Sequence, residues 1–480
     1  MPFFSAAQQD SAKVYKKRVL EATEVDLLSS YYQQNGQNAS VTGGIGKEAL
    51  TDVTPTIVVS MPLNADDVLT IDAGFSTYTS ASSSNLDPFD LSGASGGHDD
   101  DHDDEHEHEH GDRRTNPEDI FGTPWAASSG ASRQDTWTSL SASYTHNSDD
   151  RNRIWNANVS FAREYDYRSL GFGGSYTRQF NEKNTEIGLK ANVFLDAWNP
   201  KYPTELDTYL EVDGNLNAGF FEGIPILNEQ GNSTNKAGAN TWRPVSGFGL
   251  INDKGRNTYS LSFSFSQILS RRAQFSLFFD IVQQQGWLAN PTQRVYFADR
   301  PDYFIGTASS IPNYTSPTNL DVFMLADDFE RLPDSRFKTP VGARLHYYLN
   351  EILTLRLYYR YYFDNWGIDA HTLNAEMPVK ISQKFTLYPS YRFYNQTAAD
   401  SFAPFNSHQS TSQYYTSDYD LSKYHAHQFG FGISYTDIFT NFHVWNFGLK
   451  NIDLKYNYYE RNTGLKAHYF GLGVKMIMNK

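Results

Sequence analysis

The sequence predicts an all-β protein, a transmembrane antiparallel β-barrel of about 16 strands with long connections at one end and short turns at the other. Three observations predict it. Apolar and polar residues alternate with period two in one segment after another, the pattern of a strand with one face in an apolar medium. No segment reaches the roughly 18 apolar residues that a membrane helix needs. A membrane span must then come from strands closed into a barrel, because only helices and closed barrels satisfy their own backbone hydrogen bonds in lipid. Finally, aromatic residues make up 15% of the 480 positions while the mean hydropathy is −0.57. The rings sit among Ser, Thr, Asn and Gly rather than beside a large stock of Leu, Ile and Val.

The clearest hairpin is Leu353 to Ser382. Leu353, Leu355, Leu357, Tyr359, Tyr361 and Phe363 share one face, and Thr354, Arg356, Tyr358, Arg360, Tyr362 and Asp364 share the other. Asp364 to Gly367 turns the chain, and Leu373, Ala375, Met377, Val379 and Ile381 then alternate with Thr372, Asn374, Glu376 and Lys380. The apolar face is the lipid face and the charged face is the lumen. The same signal recurs at Ile187–Leu195, Tyr259–Ser266, Phe429–Tyr435 and Phe470–Met476.

Sixteen strands are expected, starting near residues 22, 52, 67, 135, 152, 168, 185, 256, 272, 339, 353, 371, 385, 424, 446 and 466. Connections 79–134, 198–255, 286–337 and 397–422 are long, whereas Pro62–Asp66, Asn181–Asn184, Ser270–Arg272, Asn350–Ile352 and Ser382–Lys384 are tight; only Asp437–Trp445 is longer on that side. Bacterial outer-membrane barrels have this asymmetry, with long loops outside and short periplasmic turns. The expected location is therefore the outer membrane of a Gram-negative bacterium, among outer-membrane lipid and lipopolysaccharide. Aromatic clusters at strand ends suit interfacial girdles: Tyr31-Tyr32, Tyr347-Tyr348, Tyr358 to Phe363 with Trp366, Tyr456 to Tyr459, and Phe439, Phe442 and Trp445. Residues 1–21 are expected to be a signal-peptide remnant and periplasmic segment, since Ser5 and Ala7 fit a small-residue cleavage pattern. Residues 22–480 form the barrel.

There is no Cys, which excludes a disulfide framework and a thiolate metal site. A net charge of −15 argues against nucleic acid as a partner. Much of that charge is local, because His98 to Asp112 holds nine acids and no Lys or Arg.

Several stretches resemble a family of bacterial outer-membrane proteins known as domain of unknown function 3570. They are Glu164-Tyr165-Asp166-Tyr167-Arg168-Ser169, Leu288-Ala289-Asn290-Pro291, Glu330-Arg331-Leu332-Pro333-Asp334-Ser335-Arg336, and Tyr359 to Pro378 with its Trp366-Gly367-Ile368 and Ala370-His371-Thr372. The resemblance spans nearly the whole chain. It implies a barrel in the outer membrane and brings no catalytic residue with it.

Three features carry chemistry. The first is the segment His98 to His110 in the 79–134 loop, where His98, Asp99, Asp101, His102, Asp104, His106, His108 and His110 are candidate metal ligands. Imidazole suits Zn, Cu, Ni and Fe, and carboxylates suit Ca. No cofactor is required for folding, and a divalent metal on this loop is the expected ligand. The second feature is a lumen charge cluster of Arg344, His346, Arg356, Arg360, Asp364, Glu376, Lys380 and Arg392 from four consecutive strands. Such charge selects solutes in an open pore or cross-links the wall of a plugged one. Arg356 and Arg360 both lie within reach of Glu376, and the run Glu330 to Arg336 is a candidate lumen plug. The third is a set of histidines, His371 beside Asp369 and His425 with His427, which raises a hydrolase. No Gly-x-Ser-x-Gly elbow and no His-Glu-x-x-His accompanies them. The sequence thus favours a non-enzymatic pore or scaffold with a metal-binding outer loop. The alternatives are a plugged barrel that docks periplasmic or surface protein partners, and an outer-membrane hydrolase.

Overall fold

A computed structural model of the chain describes residues 18–82, 135–236, 239–316, 318–319, 321–437 and 439–478. Sixteen antiparallel strands form one closed ring. They are β1 (Glu24–Gly36), β2 (Glu48–Pro62), β3 (Asp67–Ser82), β4 (Asp135–Asn147), β5 (Arg153–Arg163), β6 (Tyr167–Phe180), β7 (Thr185–Trp198) and β8 (Lys254–Ser270). They continue with β9 (Ala273–Gly286), β10 (Ser335–Tyr348), β11 (Thr354–Asp364), β12 (Asp369–Glu376 and Val379–Lys380), β13 (Phe385–Leu387 and Ser390–Gln396), β14 (Tyr424–Thr436), β15 (Phe447–Arg461) and β16 (Lys466–Met478). Each strand pairs with its chain neighbour, and β1 closes the ring on β16 from Glu24↔Ile477 to Asn35↔Lys466. Closure leaves no unpaired edge.

The expected period-two reading holds along the strands. In β5 exposed and half-buried residues alternate without a break from Arg153 to Arg163. The outward set includes Ile57, Phe75, Leu140, Trp155, Leu189 and Phe429, all exposed. A belt of apolar side chains right around a protein far exceeds the patch of roughly 600 Å² that a soluble monomer tolerates, and it has the character of a barrel face built for lipid. The inward set is polar and internally hydrogen-bonded. Asn156 Nδ2 donates to Ser143 Oγ at 2.6 Å and to Thr145 Oγ1 at 2.9 Å, and Ser276 Oγ donates to Ser266 Oγ at 2.9 Å.

Strands β12 and β13 are interrupted side by side at Pro378 and Pro389, which have no N–H to give to the ladder. Met377 N–H donates to the Pro389 carbonyl at 3.0 Å and bridges the gap.

The two ends differ as expected. Tight turns fill one end, and Phe439, Phe442 and Trp445 stand exposed there in the single longer connection. At the other end long connections are interspersed with tight hairpins at 164–166, 365–368 and 462–465. Several girdle assignments change: Tyr358 and Tyr362 take the inward register, against Arg344 and Arg360. Trp366 is only 6% exposed, because its turn folds back over β10 and its Nε1–H donates to the Ser335 carbonyl at 3.0 Å.

The long connections fold into a roof with its own core. Helix α1 (Thr204–Glu211) lies in the β7–β8 connection. A three-stranded sheet joins Leu227–Asn228, Tyr303–Gly306 and Val322–Met324. Leu206, Ile226, Trp242, Ile305, Phe323 and Phe329 are among its buried side chains. Trp242 Nε1–H donates to the Ala326 carbonyl at 3.0 Å.

Candidate functional site

The ring order shows that the roof crosses the barrel mouth. The β1–β2 connection and the β9–β10 connection are anchored eight strands apart, on opposite sides of a sixteen-strand ring. They meet where Arg294 Nη1 donates to the Val41 carbonyl at 3.1 Å. Gly43 and Gly44 make the approach possible. Both have positive φ, and a Cβ would stand 2.8 Å from the Tyr296 ring at Gly43 and 2.7 Å from the Ser417 carbonyl at Gly44.

The keystone is a buried ion pair. Arg294 Nε and Nη2 donate to Glu205 Oε1 and Oε2 at 2.6 and 2.9 Å, and both side chains are wholly buried. Burial disfavours the charged guanidinium, but the Glu205 carboxylate outweighs it and holds Arg294 above the ordinary arginine pKa. The roof holds further acids, Glu330 and Asp327 buried and Asp418 half-buried. Desolvation raises Glu330 to about 8, Asp327 to about 7 and Asp418 to about 6. Hydrogen bonds from Thr416 and the Asn290 N–H to Glu330, and from the Phe297 N–H to Asp327, pull the other way. Asp328 is held by Arg331 at 2.8 Å and by the Tyr415 hydroxyl.

Beneath the roof, the inner wall of β10 to β13 collects the expected charge. Arg344, His346, Arg356, Arg360, Asp364, Glu376, Lys380 and Arg392 all take the inward register. Arg356 Nη1 pairs with Glu376 Oε1 at 2.7 Å, directly across the ladder. Arg360 stands opposite Thr372 and lies over the Tyr362 ring at 5.8 Å. Asp364 is taken by Arg336, whose Nη2 lies 2.6 Å away. Lys338 completes the set. That wall therefore carries seven lysines and arginines against two carboxylates. Among the described residues, Lys338, Arg344, Arg360, Lys380 and Arg392 have no carboxylate within ion-pair range. Arg344, His346, Arg356, Lys380 and Arg392 are exposed although they point inward.

Other sequence-singled residues fall elsewhere. Glu330 is buried in the roof, hydrogen-bonded by the Asn290 N–H at 2.7 Å, while Arg336 is the second residue of β10. The candidate metal ligands His98 to His110 lie outside the described residues, and among the described residues no cluster of three or more potential ligands occurs. His371 and His427 face outward, and each accepts or donates a hydrogen bond with a tyrosine one strand away, Tyr359 and Tyr391, both at 2.8 Å. These histidines do not converge with one another on a nucleophile.

A family profile matches residues 4–475. The chain belongs to the family described as "Protein of unknown function (DUF3570)". None of the curated proteins matches it. Solved structures similar to it include a "Bacterial polysaccharide outer membrane secretin" (8% identity, TM-score 0.37, covering 94% of this chain and 98% of that one). A Pseudomonas aeruginosa FadL homologue is similar at 9% identity and a TM-score of 0.37, covering 95% of this chain and 90% of that one. The Pseudomonas putida toluene transporter TodX is similar at 8% identity and a TM-score of 0.36, with 96% and 90% covered. Three of the four stretches that resemble DUF3570 meet at the roofed end of this barrel. Glu330 takes the Asn290 N–H, Trp366 reaches Ser335, and Arg336 pairs with Asp364 while its Cζ lies 4.3 Å from the Trp366 ring centroid.

Sequence reasoning missed the roof. Its signal was present in short apolar runs without alternation, Val322–Ala326 and Val295–Phe297, which are buried on every side.

Proposed function

We propose that this protein is a non-enzymatic outer-membrane channel, inserted with its long connections outside the cell and its tight turns in the periplasm. One observation carries the reading. Charged side chains on the inner wall, Arg344 and Arg392 foremost, are exposed to water inside a closed ring. A plugged barrel would bury that charge against a partner, since an unpaired buried ion is costly. Among the described residues, the folded loops cross the mouth and leave these side chains exposed beneath them. The apolar outer belt supports membrane insertion, and the end-to-end asymmetry supports the orientation.

Purified protein in planar bilayers tests this. The channel reading expects discrete conductance steps in symmetric KCl. A silent membrane with protein inserted favours a docking scaffold instead. The segment His98–His110 is proposed to bind divalent cations outside the cell. Calorimetric titration with Zn or Ca against the protein and a variant lacking 98–110 checks it, and equal binding by both removes the proposal.

A further inference from the structure

Resting on the channel reading, we propose that the inner wall of β10 to β13 is a binding track for small oxyanions, carboxylates or phosphates, centred on Arg344, Arg360 and Arg392. Arg344, Tyr358, Asn374 and Arg392 stand in one row across the four strands, each opposite the next in the ladder. Arg360 lies one inward position along β11 from Tyr358. The row therefore offers two guanidiniums flanking an amide and a phenol, with a third guanidinium beside them.

Arg344 is held without being neutralised. Arg344 Cζ lies 5.3 Å from the Phe278 ring centroid and 5.4 Å from that of Tyr358, and those two rings stack at 5.5 Å and 9°. Ring faces attract a guanidinium yet leave its N–H edge free. The sequence makes room for this packing at Gly342, where a Cβ would stand 2.1 Å from Phe278 Cζ. A planar fork with open N–H donors matches an oxyanion in two-point contact.

The field of the lumen points the same way. β2 and β3 stand across the ring from β10 and β11. The inward face of β1 to β3 carries Glu24, Asp26, Glu48, Asp52 and Asp72 and no Lys or Arg. Glu24 and Asp26 are matched by Lys450 and Lys475 at 2.6 to 3.2 Å. Among the described residues, Glu48, Asp52 and Asp72 have no cation in ion-pair range. An acidic wall thus faces a basic one, and an anion crossing the lumen is pushed from the first toward the second. Five unpaired cations on the basic wall stand against three unpaired carboxylates on the acidic one among the described residues, so anions are the favoured class.

The test uses full-length protein in neutral phosphatidylcholine bilayers, with a KCl gradient and then with added potassium phosphate or potassium succinate. The wild type passes chloride better than potassium, and phosphate or succinate reduces the chloride current. Block by phosphate alone assigns the track to phosphates, and block by succinate alone assigns it to carboxylates. The triple variant Arg344→Ala, Arg360→Ala, Arg392→Ala lowers the chloride-to-potassium permeability ratio about fourfold, from three screened charges removed within about a Debye length of the path. The triple variant with Lys at the same positions keeps the chloride preference and loses about tenfold in oxyanion block, because an ammonium lacks the planar fork. Cation preference in the wild type, no block by either oxyanion, or an unchanged ratio in the alanine variant overturns the track while leaving the channel standing. Absence of conductance in the wild type overturns the channel reading itself.

Discussion

Glu205→Ala removes one half of the ion pair that holds the roof together. Arg294 remains fully buried, always charged, with the Val41 carbonyl as its remaining hydrogen-bond acceptor. Stranding a buried charge in this way costs about 3–5 kcal/mol. The barrel gains its stability from the closed ladder, so the loss falls on the roof as local opening. A cost of that size multiplies the opening equilibrium by roughly two to four powers of ten. Hydrogen exchange in proteoliposomes, resolved to peptides from 199–253 and 287–334, measures it directly. Amides of Ile226, Trp242 and Ile305 exchange faster by about that factor, while the β10 and β11 ladders are unchanged. The double variant Glu205→Leu, Arg294→Met recovers most of the protection, since a well-packed apolar replacement of a buried pair is near neutral. Roof exchange within about threefold of wild type in the single variant, or a double variant worse than the single, refutes the keystone role.

The roof is predicted to loosen as pH rises. Burial raises Glu330 to about 8 and Asp327 to about 7, so these carboxyls hold protons more tightly in the folded roof than in the unfolded chain. Their contribution is complete below the ordinary carboxylate range and is lost as pH climbs through the folded values, about 4.5 to 8. Roof exchange, corrected for its intrinsic pH dependence, accelerates over that interval, and Glu330→Gln flattens the response; a profile flat in the wild type contradicts it. Trp445, 92% exposed at the tight-turn end, is predicted to sit at the membrane interface. Lipids brominated near the headgroup quench its fluorescence, and Trp445→Phe removes that component; equal quenching in the variant places Trp445 away from lipid. Gly342→Ala forces Phe278 off the wall and displaces Arg344, lowering chloride preference at normal barrel stability; unchanged selectivity refutes the packing argument.

The barrel was legible because lipid and water impose a strict two-residue period on every strand. The expected starts near 185, 353, 385 and 446 lie within a residue of Thr185, Thr354, Phe385 and Phe447. The inward register of the charge cluster followed from the same period. Partner choice within it was less accessible. Arg356 and Arg360 both lie near Glu376 along the hairpin, and only the ladder register selects Arg356. The expected start of β10 at 339 left Arg336 in a loop, and the strand begins at Ser335, which brings Arg336 to Asp364. Trp366 read as a girdle residue because aromatic clusters at strand ends look alike whichever way their turn folds. The roof was illegible for a different reason. Its contacts join residues far apart in the chain, Glu205 to Arg294 and Asp328 to Tyr415, and no local period records such pairings.

Single-channel recording in planar bilayers tests the central claim most directly. The water-exposed charge on the inner wall predicts discrete steps from the wild type, and larger or longer steps from Glu205→Ala as the roof gives way. Silence from both proteins, with insertion verified by protease protection of the barrel, contradicts an aqueous path through the ring.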